Sequence, residues 1–187
     1  LSRTVVTLDS GAPAREEPAH EELVAEFKEA MSSLAAGVCV VTTLNQHAEP
    51  IGFAASSVAS VSVDPLLLLV CQAKSARSHG VFAECENFAV SVLAAEQREL
   101  AERFAKPVAD RFSGSGFVAG GRRAPTHPDA LARLQCRRVE TVDAGDHSIL
   151  LGRPVEISTT RGDPLVYQAR RFRRVEPLTV ASSGAGS

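Results

Sequence analysis

Two stretches near the C-terminal end constrain this chain most. Residues 131–142 and 148–158 are joined by the connector Asp143-Ala144-Gly145-Asp146, with His147 leading into the second stretch. In the second stretch Ile149, Leu151, Val155 and Ile157 occupy positions of one parity. Side chains at alternate positions share one face of a strand, so this pattern marks a half-buried antiparallel strand. A connector this short, carrying Gly and Asp, allows only an antiparallel return. Any fold for this chain must therefore contain a long β-hairpin.

The rest of the chain supplies more strands than helices. Residues 38–44 are rich in β-branched side chains and read as a strand, and 45–50 form a polar turn. Residues 51–63 mix Ala, Ser and Val in extended backbone and end at Asp64-Pro65. The continuous apolar run over 66–72 predicts a strand covered on both faces. Residues 88–93 form another strand, and 165–175 close the domain. Leu23, Phe27, Met31 and Leu34 recur at helical spacing, with Gly37 as the expected stop. Short helices are expected over 74–84, capped by Ser75, and over 96–104, with Gln97, Leu100, Ala101 and Phe104 on one side. Residues 106–128 hold four glycines and three prolines and read as an irregular segment, functional or mobile. About six strands in hairpin order with peripheral helices predict a mainly β fold, a closed antiparallel barrel. Residues 1–20 are expected to form a flexible arm, 21–176 the domain, and 177–187 a disordered tail.

Composition narrows the function classes. At 187 residues with 44% apolar and 22% charged side chains, the chain has material for one core. Its longest apolar run, Leu66 to Cys71, is far short of the roughly 20 residues that a bilayer helix needs. A net charge of −2 gives no field steering it to nucleic acid or anionic lipid. The N-terminus has neither a basic nor an apolar region of signal-peptide type, so a cytoplasmic location is expected. Cys39, Cys71, Cys85 and Cys136 contain no Cys-x-x-Cys pair and read as free thiols.

Several patterns imitate functional motifs. Gly114-Ser115-Gly116-Phe117-Val118-Ala119 matches a dinucleotide fingerprint, but no strand precedes it and no helix follows, so it reads as a loop. His20, His47, His79, His127 and His147 never fall at metal-ligand spacing. No serine sits in a Gly-x-Ser-x-Gly elbow. Arg170, Arg171, Arg173 and Arg174 read as a solvated strand face and an oligomer contact. With 5% aromatics and no Trp, platforms for stacked bases are scarce.

Two serine-rich patches remain. Small side chains over 54–63, including Ala54, Ser56, Ser57, Ser60 and Ser62, let a flat ligand lie against extended backbone. Lys74-Ser75-Ala76-Arg77-Ser78 offers hydroxyls and cations at a strand-to-helix junction, a setting suited to phosphate. The two patches bracket the apolar strand and together imply a flat heterocycle carrying a phosphate.

The chain also resembles a known family. The motifs are Gly37-Val38-Cys39-Val40-Val41-Thr42-Thr43, Gly52-Phe53-Ala54-Ala55-Ser56-Ser57, Ser60-Val61-Ser62-Val63-Asp64-Pro65, Lys74-Ser75, Phe88-Ala89-Val90-Ser91-Val92-Leu93 and Gly145-Asp146-His147. In this order they are similar to the flavin reductase-like family, FMN-binding split-barrel proteins that serve two-component flavin-dependent monooxygenases. Ala109-Asp110-Arg111-Phe112 adds a likeness to actinomycete reductases of natural-product and antibiotic pathways. The resemblance implies an antiparallel split β-barrel and a homodimer. It implies hydride transfer from NADH, with NADPH left open, to FMN or FAD, and delivery of reduced flavin to a monooxygenase.

By position, it puts Ser56, Ser57 and the following Val58 to Ser62 on the flavin ring and ribityl chain, and Lys74, Ser75 and Ser78 on its phosphate. His147 would meet the nicotinamide, and Arg111 and Phe112 the outer end of the flavin. Ala54, Val58 and Leu66 stand where the family often has Thr, Phe and Pro. A non-catalytic flavin carrier and a tightly FMN-bound oxidase of pyridoxamine-phosphate type are the alternatives.

Overall fold

The computed structural model describes residues 19–108, 110–121 and 123–178. Most of the expected arm and tail lie outside these residues. In chain order the elements are α1 (His20–Ser32), β1 (Ala36–Gly37), β2 (Cys39–Leu44), β3 (Pro50–Ala55), β4 (Val58–Val63), β5 (Leu66–Ala73) and α2 (His79–Glu84). Then come β6 (Asn87–Val92), a 3-10 turn (Ala95–Gln97), α3 (Arg98–Ala105), β7 (Ala132–Ala144), β8 (His147–Thr159), β9 (Val166–Gln168) and β10 (Arg171–Arg173).

The long hairpin forms the spine. β7 and β8 pair from Ala144–His147 to Ala132–Thr159, with register shifts at Gln135/Cys136 and Arg138/Glu140. Its turn is tighter than the four residues expected. Only Gly145 and Asp146 lie outside the strands, because Gly145 adopts a φ of 68° that an L side chain resists.

The main sheet has the order β3-β2-β6-β7-β8-β5-β4, and its pairings are antiparallel. Its two end strands, β3 and β4, are consecutive in the chain and share no ladder among the described residues. Ser56 and Ser57 join them, and the Cys71 amide donates to the Ser57 carbonyl at 3.1 Å. The fold is thus an antiparallel split barrel, as the family resemblance implies, rather than a closed one, with its seam at the β3–β4 junction.

β2 is buried on both faces because two clusters flank it. Val41, Val70, Phe82, Phe88, Val90, Cys136 and Leu150 pack on one side. Val38, Val40, Leu93, Ala101, Phe104 and Leu165 pack on the other, beneath α3. β5 is not covered on both faces. Leu68, Val70 and Gln72 are buried, while Leu67, Leu69, Cys71 and Ala73 remain half-exposed. It lies beside the end strand β4, so only its inner face meets the core.

Three further expectations change. The first helix ends at Ser33, and Gly37 instead pairs with Val166 in a small β1-β9-β10 sheet. None of the α1 residues is buried; Leu23, Phe27 and Met31 form an exposed apolar stripe, continued by Leu34 just beyond the helix. The second helix starts only at His79, so Ser75 lies in a turn and caps nothing. The closing strand splits into β9 and β10 around Ala169 and Arg170, whose φ values of 49° and 59° make a tight hairpin turn.

The irregular segment is anchored to the barrel. Thr42 Oγ1 donates to the Pro125 carbonyl at 2.6 Å, and Gln135 Nε2 to the Ala124 carbonyl at 2.8 Å. Gly114 to Ala119 is loop with one isolated bridge from Val118 to Thr126, as expected from its context.

Candidate functional site

A groove of about 740 Å³ runs along the seam. One wall is β3 with the Ser56–Ser57 link; the floor is the end of β5. Ser75 to Ser78 lie at one side, and the end of α3 with Arg111 and Phe112 at another. His147 reaches it from the start of β8, whose register puts His147 opposite Ala73.

The structure thus brings Ala54, Ser56, Ser57, Ser75, Ser78, Arg111, Phe112 and His147 to one groove. Val58, Ser60, Ser62 and Lys74 do not line it. Val58 is half-buried and packs against the core. Ser60 and Ser62 lie along the end strand β4, on either side of a register shift. The Lys74 ammonium sits 2.6 Å from Asp143 and holds that carboxyl below the usual carboxylate range.

The electrostatics of the groove have one sign. Two guanidiniums, Arg77 and Arg111, line it together with His147, and no Asp or Glu is among its lining residues. Burial lowers the Arg111 pKa, and the nearby Arg77 charge lowers it further. Two guanidiniums lining one groove, with no carboxylate among its lining residues, favour an anion there. Arg111 is fixed by donating from Nη1 to the Gly52 carbonyl at 2.7 Å. His147 Nδ1 lies 2.7 Å from Asp146 Oδ1, a contact that lowers the Asp146 pKa and leaves the His147 ring half-exposed at the groove.

Beside these cations, part of the groove wall is made of small residues. Gly52, Ala54, Ala55, Ala73 and Ala76 present backbone and methyl groups. A flat ring system fits such a wall, and a phosphate fits its cationic end. In the sequence Arg77 is only one cation of its patch, and Gln72 gives no signal as a site residue. Gln72 sits in an apolar strand, where a single polar residue gives no periodic signal.

A family model described as a flavin reductase like domain matches residues 31–176. The chain belongs to the flavin reductase-like family. A family relative in Streptomyces pristinaespiralis, an NADH:riboflavin 5'-phosphate oxidoreductase, is 44% identical over 160 residues, covering 83% of this chain and 90% of its own length. Actinorhodin polyketide dimerase of Streptomyces coelicolor is 44% identical over 147 residues, covering 78% of this chain and 83% of the relative. Among solved structures, the Streptomyces globisporus NADH:FAD oxidoreductase in complex with NAD and FAD fragments superposes with a TM-score of 0.80 at 32% identity. That match covers 88% of this chain and 99% of the other.

The groove of this flavin reductase-like chain passes a test of fit for flavin. It has a smooth wall of small residues, a cationic end free of carboxylates, and a hydroxyl at Ser78 whose proton no described group accepts. No three His, Cys, Asp or Glu converge as metal ligands among the described residues. No described helix is long and apolar enough to cross a membrane.

Proposed function

We propose that this chain is an NAD(P)H:flavin oxidoreductase, with NADH the favoured donor, that binds FMN or FAD along the seam groove and supplies reduced flavin to a partner monooxygenase. The observation that carries this reading is the pairing of Arg77 and Arg111 in a groove lined by no carboxylate. The Streptomyces pristinaespiralis relative is an NADH:riboflavin 5'-phosphate oxidoreductase and the Streptomyces globisporus protein an NADH:FAD oxidoreductase, and the reductase component of a flavin-dependent trigonelline monooxygenase from Acinetobacter baylyi is a further relative, 40% identical over 139 residues. Kinship with chains from Streptomyces supports a partner in a natural-product or antibiotic pathway. The reaction would run in the cytoplasm, where NADH is replenished.

A bound flavin supplies the hydride acceptor and the nicotinamide the donor, so the chain needs no acid–base pair of its own. Its residues bind and orient. Ser78, Arg77 and Ser75 hold the phosphate, with Arg111 adding charge from the opposite wall. Ala54, Ser56 and Ser57 present small side chains and backbone to the ring. Phe112 closes the outer end. His147, exposed at the hairpin tip and oriented by Asp146, positions the nicotinamide. Lys74 pairs with Asp143 outside the groove lining and is given no direct contact with the phosphate.

The exposed stripe of Leu23, Phe27, Met31 and Leu34 supports a homodimer in which a second copy covers α1. Sedimentation equilibrium of the full chain tests this, and a monomer at micromolar concentration would refute it.

Steady-state oxidation of NADH and NADPH, with FMN, FAD and riboflavin supplied in turn, tests the function. Flavin-dependent NADH consumption is the expected result. Flavin binding without any nicotinamide oxidation would make the chain a flavin carrier instead.

A further inference from the structure

We infer that Gln72 is a positioning residue that aims the Ser78 hydroxyl proton into the groove and so tunes recognition of the flavin phosphate. This rests on the reading of the groove as a flavin site.

Gln72 belongs to the inward-facing row of β5 with Leu68 and Val70, and it is only 2% exposed. A carboxamide is out of place in that row. Its Oε1 is buried and has no hydrogen-bond partner among the described residues. Gln72 also borders the groove floor between Cys71 and Ala73, yet a buried acceptor left without a partner is destabilising, and a leucine of similar length would avoid that cost. The other half of the amide does have a partner: Nε2 lies 2.9 Å from Ser78 Oγ.

The polarity of that bond follows from the groups. An amide nitrogen can only donate, so Ser78 Oγ is the acceptor. The Ser78 proton must then point away from Gln72, and no described group accepts it. Ser78 lines the groove beside Arg77, so an anion bound there receives the proton from a hydroxyl already oriented. A serine without this partner would have to give up its rotational freedom on binding.

A second bond strengthens the placement. His79, the next residue, has Nε2 2.9 Å from Ser148 Oγ. Ser148 is the cross-strand partner of Gln72. Two residues facing each other on β5 and β8 therefore tie down two consecutive residues at the start of α2. Ser75 has no such support, so Ser78 is the better-organised hydroxyl of the pair.

The test compares FMN and riboflavin binding by flavin fluorescence quenching in the parent, Gln72→Leu, Gln72→Met, Ser78→Ala and the Gln72→Leu/Ser78→Ala double variant. Gln72→Leu removes the donor and the orphaned acceptor together. The expected result is a melting temperature no lower than the parent's and FMN affinity reduced about fivefold, as for one neutral hydrogen bond. Riboflavin affinity should stay within about twofold. Gln72→Met should behave alike, which guards against a packing fault of leucine. The double variant should bind FMN no more weakly than Ser78→Ala alone. Equal losses for FMN and riboflavin, additive losses in the double variant, or a lowered melting temperature in both Gln72 variants would overturn the assignment. If Ser78→Ala weakens FMN selectively but the Gln72 variants do not, only this inference falls. If Ser78→Ala does not separate FMN from riboflavin, the phosphate site itself has been misread.

Discussion

Arg111 and Gly52 meet by a hydrogen bond from the guanidinium Nη1 to the backbone carbonyl, 2.7 Å long and spanning 59 positions of the chain. It joins the irregular segment after α3 to the middle of β3. A Cβ on Gly52 would lie 3.0 Å from the Phe104 ring and 3.1 Å from both the Phe112 ring and the Val41 carbonyl. The contact between these two walls of the groove thus depends on a missing side chain. Gly52→Ala should push Phe112 outward, lower stability by about 1–3 kcal/mol and weaken FMN and riboflavin alike. Urea denaturation and fluorescence titration check this; unchanged binding of both flavins would mean the walls are not coupled.

Arg77 should act through charge. Arg77→Gln is expected to raise KM for FMN and FAD by roughly tenfold and to leave riboflavin nearly unaffected. The parent's KM for FMN should also climb with salt, and the variant's should climb less, because screening acts on the charge that was removed. Identical salt slopes in both proteins would contradict this.

His147→Ala should lower kcat/KM for NADH while flavin affinity stays within about threefold. With the ring positioning the hydride donor as proposed, hydride transfer should become the slow step in the variant. A larger kinetic isotope effect with 4-deuterated NADH in the variant is the signature. Loss of flavin binding with normal NADH kinetics would assign His147 to the flavin instead.

Burial pushes the thiols of Cys39 and Cys136 up to about 12 from an ordinary 9.0. The folded thiols stay protonated where the unfolded ones ionise. The stability tied to them is complete below pH 9.0 and is lost as pH rises from there towards about 12. Above pH 9.0 each thiol should contribute a fall of about 1.4 kcal/mol per pH unit. Urea unfolding across this range should show the fall, and Cys39→Val should reduce its slope. Cys71, half-exposed on the groove floor, should react first with a thiol reagent, and added FMN should slow that reaction. Equal labelling rates for all four cysteines would refute this.

The sequence showed the frame of the fold more clearly than the details of its site. Alternation in Ile149, Leu151, Val155 and Ile157 is a direct image of the pleat, so the long hairpin could be read without a structure. The run from Leu66 to Gln72 could not, because apolar residues on both faces look the same whether the outer face meets a helix, a ligand groove or water. Ser75 looked like a cap because serine is a favoured residue at helix starts; residues 76–78 continue the turn before the helix begins at His79. Arg111 and Phe112 lie in an irregular segment with no periodic signal, and only family likeness pointed to them. Gln72 and Arg77 were obscured by their neighbours, since neither an amide in an apolar strand nor an arginine in a polar loop announces a direction.

The seam between β3 and β4 has a kinetic consequence. Widening a closed barrel breaks a row of backbone hydrogen bonds, whereas no ladder joins these two strands and only the Ser56–Ser57 link spans them. A reaction whose product must depart after every turnover benefits from an exit that costs no backbone pairing. On the proposed function, flavin exchanges along this seam while the laddered strand pairs among the described residues stay closed.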